Sequence, residues 1–345
     1  MALLEVKDLT IHYRTKTGPL VAVDSVSFDI PEGQNLGLVG ESGCGKTTTA
    51  KALIRLLPSN GSIVRGQMKY KDTHIEKLTD KELRAFRWEE ISMISQSAMN
   101  SLNPVFRVGD QIVEAIQAHR KDSRNQAMKR AEELFDVVGL EKKRLRAYPH
   151  EMSGGMKQRA IIAMAMALDP GLIIADEPTT ALDVIVQDRI LKKIVEVQKN
   201  MKSSMVFITH DISVVAETCQ RVCVMYAGKV MELGPTSKVF KAPYHPYTMG
   251  LSNAFPSIQM DQSELISIPG YPPNLINPPK GCLFFERCPF ATTKCENEAP
   301  PVLEIDDDHF AACHYSDQYL AHREAARRRK TWDDVRQRQI ERGVV

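Results

Sequence analysis

Gly40-Glu41-Ser42-Gly43-Cys44-Gly45-Lys46-Thr47-Thr48 fits G-x-x-x-x-G-K-[ST], the P-loop pattern. The apolar run Leu36-Gly37-Leu38-Val39 ahead of it predicts a buried strand, and Thr47 to Leu57 behind it predicts a helix. Gly40, Gly43 and Gly45 let the backbone curl until its N–H groups point at a phosphate chain. The helix adds its positive N-terminal end to the same anion. In this pattern Lys46 reaches the β/γ-phosphates and Thr47 ligands Mg²⁺. A glycine-rich turn that binds nothing is the bland alternative, and the strand and helix on either side argue against it.

Working outward, residues 4–13 and 21–30 alternate apolar and polar, as in Val21, Val23, Val26, Phe28 and Ile30. That period of two predicts half-buried antiparallel strands. Further short strands are expected at Gly66–Tyr70, Ile91–Ile94, Leu172–Ala175, Met205–Thr209, Val222–Met225 and Lys229–Leu233. Between Val108 and His150, Met128, Ala131, Phe135 and Val138 recur at helical spacing, which predicts a helical insertion. Val184–Asn200 and Ser213–Thr218 also read as helices. Strands alternating with helices around a P-loop imply an α/β fold with a parallel sheet, and ligands then bind at the strands' carboxyl ends. Gln96, Asp176, Glu177 and His210 all follow predicted strands directly.

The chain has 345 residues, 26% charged and 43% hydrophobic, with a net charge of +2. That is ordinary globular composition with no strong overall field for nucleic acid or membrane surfaces. The longest uncharged apolar run, Ala160 to Leu168, is too short to cross a bilayer. The N-terminus lacks the features of a signal peptide, so a cytoplasmic location without disulfides is expected. Cys219 and Cys223 read as small buried hydrophobes, and Cys44 occupies a variable P-loop position.

Asp176 follows four apolar residues, the pattern of an aspartate that holds Mg²⁺ in P-loop ATPases. Glu177 beside it can orient or deprotonate the water that attacks a γ-phosphate. Ser153-Gly154-Gly155 leads straight into an apolar helix, a second ready-made anion site, or else a plain N-cap. A helical insertion separates this site from the P-loop, so two chains packed head to tail would join them more easily than one.

Together the P-loop, Gln96, Ser153-Gly154-Gly155, Asp176-Glu177, Ala181-Leu182-Asp183 and His210 resemble, in that order, the ATPases of the ATP-binding-cassette (ABC) family. The resemblance covers roughly residues 4–250. It implies a RecA-like core with an antiparallel β-subdomain and a helical subdomain. It further implies that Tyr13 stacks on adenine, Gln96 senses Mg²⁺ and the transporter contact, and His210 meets the γ-phosphate. Ser153 and Gly155 would close over ATP on a partner chain, with Asp183 at the dimer interface. Met152 and Met156 replace the ends of the common Leu-Ser-Gly-Gly-Gln signature, and Ser97-Ala98 departs from the usual acidic residue and proline. An unrelated P-loop kinase would not need the Ser153-Gly154-Gly155 motif.

Ser101-Leu102-Asn103-Pro104, His245-Pro246-Tyr247-Thr248, Gly281-Cys282, Arg287-Cys288-Pro289, Cys295 and Cys313 narrow the likeness. They resemble the oligopeptide/dipeptide permease group of ABC importers, some of which carry oligosaccharides or nickel. The likeness implies a second, different ATPase subunit, two integral membrane permease subunits, an extracytoplasmic substrate-binding protein and a place on the cytoplasmic face of the membrane. The alternative is a soluble ABC ATPase acting on nucleic acid or ribosomes. The basic residues of 321–345 lend it weight, and the single cassette and importer-type tail count against it, so nucleic acid is not an expected partner.

The expected organisation is a nucleotide-binding domain at 1–255 (helical subdomain about 97–165), a small cysteine-containing extension at 256–320, and a basic, solvated helix at 321–345. Cys282, Cys288, Cys295 and Cys313 follow C-x5-C-x6-C-x17-C. In a proline-rich segment, four thiolates suit a metal that organises the fold, and spacing alone leaves zinc and an iron–sulfur cluster open. The permease resemblance favours a 4Fe–4S cluster.

Overall fold

In the computed structural model, residues 2–95, 101–178, 187, 191–192, 194–196, 198, 203–253 and 266–343 are described. The chain divides into two compact units. One holds residues 1–3, 30–35 and 71–208; the other holds 4–29, 36–70 and 209–345.

The second unit begins with long antiparallel strands. β1 (Ala2–Thr15) lies between β2 (Gly18–Pro31) and β4 (Gly61–Tyr70). The expected alternation is present but changes phase. Leu4 and Val6 are buried, then Leu9 and Ile11. The switch is a β-bulge: the register runs Lys7↔Gln67 then Thr10↔Arg65, and Asp8 takes φ 49°. Gly66 makes it possible, because a Cβ there would stand 2.6 Å from the Leu9 Cα.

β3 (Asn35–Val39) is buried along its whole length and runs parallel to β9 (Arg221–Tyr226), with Leu36↔Arg221 and Val39↔Val224 in register. β9 turns at Ala227-Gly228 into β10 (Lys229–Pro235), its antiparallel partner. The sheet then continues into residues far along the chain. β12 (His309–Ala311) pairs with β10, and β11 (Leu303–Asp306) pairs with β12. The helix after β3 spans Lys46–Leu53, shorter than expected, because the chain turns off at Arg55, where φ is 49°.

In the first unit, β6 (Ile91–Ile94), β7 (Leu172–Asp176) and β8 (Ser204–Ile208) run parallel, with β7 in the middle. Between β6 and β7 comes the expected helical segment. Helix Val108–His119 buries Val108, Ile112, Val113 and Ile116. Helix Arg124–Val137 buries Ala127, Ala131, Leu134 and Phe135, and Ser123 caps it in a capping box with Gln126. β5 is the short Thr73–His74.

The basic tail is not one solvated helix. It forms two, Tyr319–Ala326 and Arg329–Glu341, and the second buries Trp332, Val335 and Gln339. The Trp332 Nε1–H donates to the Ala326 carbonyl at 2.8 Å, and Gln339 donates to the Glu286 carbonyl at 3.0 Å. Its excess charge lies on the outer face while an i, i+3, i+7 seam faces inward. Among the described residues no helix is long and apolar enough to cross a membrane.

Candidate functional site

The P-loop has the backbone its glycines were expected to allow. Gly40, Gly43 and Gly45 take φ of 144°, 81° and 101°. At Gly40 space is also limiting, since a Cβ would stand 2.1 Å from the Met225 carbonyl oxygen. Gly45 is the N-cap of helix Lys46–Leu53, so that helix starts inside the motif and its first N–H groups face the loop. Lys46 is buried and its Nζ donates to the carbonyls of Gly40 at 2.6 Å and Glu41 at 3.0 Å. Ser42 and Gly43 are exposed, and Thr47 and Thr48 are half-buried. Burial pushes the Cys44 thiol up, against the opposing pull of Lys46.

Tyr13 reaches this loop: its hydroxyl shares a 3.2 Å hydrogen bond with Thr48 Oγ1. His210 is exposed just past β8. Asp211 after it caps helix Ile212–Thr218, accepting from the Ser213 N–H at 2.9 Å.

In the first unit, Asp176 is the last residue of β7 and is buried. Glu177 follows with φ 49°, a left-handed conformation that costs a non-glycine residue about 1–3 kcal/mol. Its N–H donates to the Ile208 carbonyl at 2.8 Å, so the neighbouring strand end holds the strained turn. The Gln158 side-chain amide donates to the Pro178 carbonyl at 2.5 Å. Gln158 lies in helix Gly154–Ala165, whose N-cap is Ser153, with Ser153 Oγ accepting from the Met156 N–H at 3.3 Å. Ser153 and Gly154 are exposed and Gly155 is half-buried. The helix that carries the glycine signature is thereby tied to the turn after Asp176-Glu177. Gln96 and Asp183 lie outside the described residues.

Cys282, Cys288, Cys295 and Cys313 line one cavity of about 20 Å³ with His245, Phe284, Phe290 and His322. Gly281 sets the chain crossing beside it, because a Cβ there would stand 2.2 Å from the Glu296 carbonyl oxygen. The Cys282 N–H donates to the Cys295 carbonyl at 2.7 Å. Burial pushes the Cys282 thiol up to about 12 and Cys313 to about 11, and raises Cys288 as well. All seven cysteines are free thiols, and Cys219 and Cys223 are buried as expected. Among the described residues no group of three His, Cys, Asp or Glu is placed to hold a metal ion. The four thiols of the expected cluster thus line one cavity, but among the described residues they do not form a metal-binding group.

The ABC transporter family matches residues 23–180, a span that holds the P-loop, Ser153-Gly154-Gly155 and Asp176-Glu177. The family described as oligopeptide/dipeptide transporter, C-terminal region, matches residues 231–295. The dipeptide transport ATP-binding protein DppD of Lactococcus lactis is 46% identical over 89% of this chain and 89% of its own length. The oligopeptide transport ATP-binding protein OppD of Bacillus subtilis is 45% identical over 89% of this chain and 87% of its own. The chain belongs to the ATP-binding proteins of ABC transporters. A solved ATP-binding cassette dimer, in a post-hydrolysis state bound to ADP and Pi, superposes with a TM-score of 0.62 at 27% identity, over 68% of this chain and 98% of that one.

As an ABC ATPase, the chain is an ATP hydrolase whose expected cofactors are ATP and Mg²⁺. Two side chains at its nucleotide motifs were not legible in advance. Gln158 carried no motif of its own. Arg287 was noted only as the neighbour of Cys288, yet its guanidinium grips Glu41, the second residue of the P-loop.

Proposed function

We propose that this chain is the ATPase subunit that drives an importer of oligopeptides, dipeptides or related solutes such as oligosaccharides. The observation that carries it is the glycine cradle opening onto helix Lys46–Leu53, in a chain that also places Asp176 and Glu177 at a strand end. The peptide class is supported by the relatives' names and by the match to the C-terminal region of peptide transporters.

In this reading the loop's N–H groups and Lys46 take the phosphates, and Thr47 and Asp176 bind Mg²⁺, with Gln96 assisting. Glu177 accepts the proton of the attacking water, His210 meets the γ-phosphate and Tyr13 meets the adenine. Ser153, Gly154, Gly155 and Asp183 act on the nucleotide of a partner ATPase, a different subunit. The exposure of Ser153 at a helix N-terminus supports that role.

The further partners are two integral membrane permease subunits and an extracytoplasmic substrate-binding protein, with the chain peripheral on the cytoplasmic face. The stretch from Gln96 to Asn103 is expected to dock on the membrane subunits, and Val105 and Phe106, two and three residues further on, are 69% and 54% exposed, which favours a covering partner there. The organisation that goes with this reading is a nucleotide-binding domain at 1–255, an extension at 256–320 and a basic tail at 321–345.

We further propose that Cys282, Cys288, Cys295 and Cys313 hold a 4Fe–4S cluster, with zinc as the alternative. That the four thiols line one cavity supports a group held by all four. When bound it would fasten the module's loops.

Affinity purification from gently solubilised membranes tests the assembly. Integral membrane subunits and a second ATPase are expected in the eluate. Recovery with RNA or ribosomes instead would overturn the importer reading.

A further inference from the structure

Glu41 is an acidic residue in a loop built to receive a polyphosphate, and it is gripped on three sides. Arg287 Nη1 donates to Oε2 at 2.7 Å and Nη2 donates to Oε1 at 2.8 Å, a two-pronged charge-assisted pair. The Glu41 N–H donates to the Tyr247 hydroxyl at 2.9 Å. The Glu41 carbonyl accepts from Lys46 Nζ at 3.0 Å and from the Cys44 N–H at 3.2 Å. With its N–H committed to Tyr247, Glu41 does not belong to the set of amides left for phosphate.

Arg287 is itself fixed from behind. Its side chain is 3% exposed against 28% for Glu41. Its Nε donates to the Pro269 carbonyl at 2.8 Å and Nη1 to the Tyr226 hydroxyl at 3.3 Å. Burial alone would lower the guanidinium's pKa, but the hydrogen bonds to Glu41 and Tyr226 more than offset it, so the charge stays. Phe284, three residues before Arg287, packs on Tyr226 and Tyr247 with ring centroids 5.3 Å apart in each case. Cys288, the residue after Arg287, faces the four-cysteine cavity and gives its carbonyl to Arg338 at 2.8 Å.

We propose that Arg287 is a positioning residue for nucleotide binding: it neutralises the Glu41 carboxylate and fixes the start of the P-loop, so that the cysteine module must be folded for the loop to accept ATP. This rests on the reading of the P-loop as the ATP site. Without Arg287 a bare carboxylate stands in the loop and opposes the incoming phosphates. Removing that carboxylate as well removes the opposition. Arg287 touches no reacting atom, so its loss acts on ATP affinity and not on the chemical step.

The test is titration of the full chain with Mg²⁺-ATP, together with steady-state ATPase kinetics, for Arg287→Ala, Glu41→Ala and the double variant. Arg287→Ala is expected to raise the ATP Kd and KM about ten-fold, the scale of a screened charge repulsion near the surface, with kcat at saturation little changed. The double variant is expected to recover most of that loss, a coupling of at least about five-fold. The deficit of Arg287→Ala should also shrink as salt rises, because it is charge repulsion. A double variant as weak as Arg287→Ala, or an Arg287→Ala Kd equal to wild type, would overturn the proposal. If Arg287→Ala does not fold, Arg287→Gln with and without Glu41→Gln reads the same coupling, since glutamine removes the charge and keeps part of the side chain's size and hydrogen bonding. A wild-type chain that binds no ATP would instead remove the functional reading beneath it.

Discussion

Glu232 and His309 share a hydrogen bond of 2.7 Å, carboxylate Oε1 to ring Nε2, with the two side chains 0% and 1% exposed. The same carboxylate accepts from the Tyr244 N–H at 2.9 Å and the His245 N–H at 3.0 Å. One side chain of β10 thereby ties down the segment entering helix Pro246–Asn253 and the late strand β12. Removing it would leave buried donors without a partner. Glu232→Ala is expected to destabilise the protein by about 3–5 kcal/mol, and Glu232→Gln by less, because the amide oxygen still accepts. Urea unfolding checks this, and a Glu232→Ala midpoint equal to wild type would show that the pair does not hold the strands together.

The strained turn at Glu177 carries a prediction about catalysis. Glu177→Gln keeps size and backbone and loses the proton acceptor. It should retain Mg²⁺-ATP binding while turnover falls by at least ~10², the usual scale for a general base. Phosphate release and ATP titration on the same preparation separate the two. Wild-type turnover would remove Glu177 from the base role.

Ser153 tests the head-to-tail arrangement. An arginine there fills the exposed helix N-terminus and costs about 1 kcal/mol of capping energy, too little to unfold the chain. In a Glu177→Gln background, mixed with the second ATPase subunit and ATP, sedimentation should show a larger species for Ser153 and its loss with Ser153→Arg. Unchanged ATP-driven association would count against a partner-chain role for the signature.

The proposed cluster at Cys282, Cys288, Cys295 and Cys313 carries its own prediction. Protein purified without oxygen should absorb broadly near ~400 nm and carry about four irons per chain, as a cluster held by four thiolates requires. Stoichiometric zinc without iron would transfer the site to a Cys₄ zinc. Absence of any metal from a folded module would exclude both.

Much of the nucleotide chemistry is written locally. Gly40 to Thr48 sets its own curl, because three glycines take positive φ and the next residues start a helix. Asp176 and Glu177 stand at a strand end because an apolar run stops there, and Ser153 caps because hydroxyls at that position accept from the first turn. Helix Arg124–Val137 followed from its spacing, although its buried seam runs through Ala127 and Leu134 while Met128 is half-buried. Such features depend on neighbours within a few residues, so the sequence alone determined the phosphate loop and the carboxylates at the end of β7.

The tertiary structure decided what meets across long separations. Glu41 and Arg287 are 246 residues apart, and neither stretch names the other. Trp332 sits in a segment whose charge reads as solvated, and only the surface it packs against makes it core. The bulge at Asp8 needed Gly66 on another strand to let the backbones close. A periodic pattern says that a face is buried, but it does not say against what. Only the path of the folded chain brings an arginine of the cysteine module to the carboxylate of the phosphate loop.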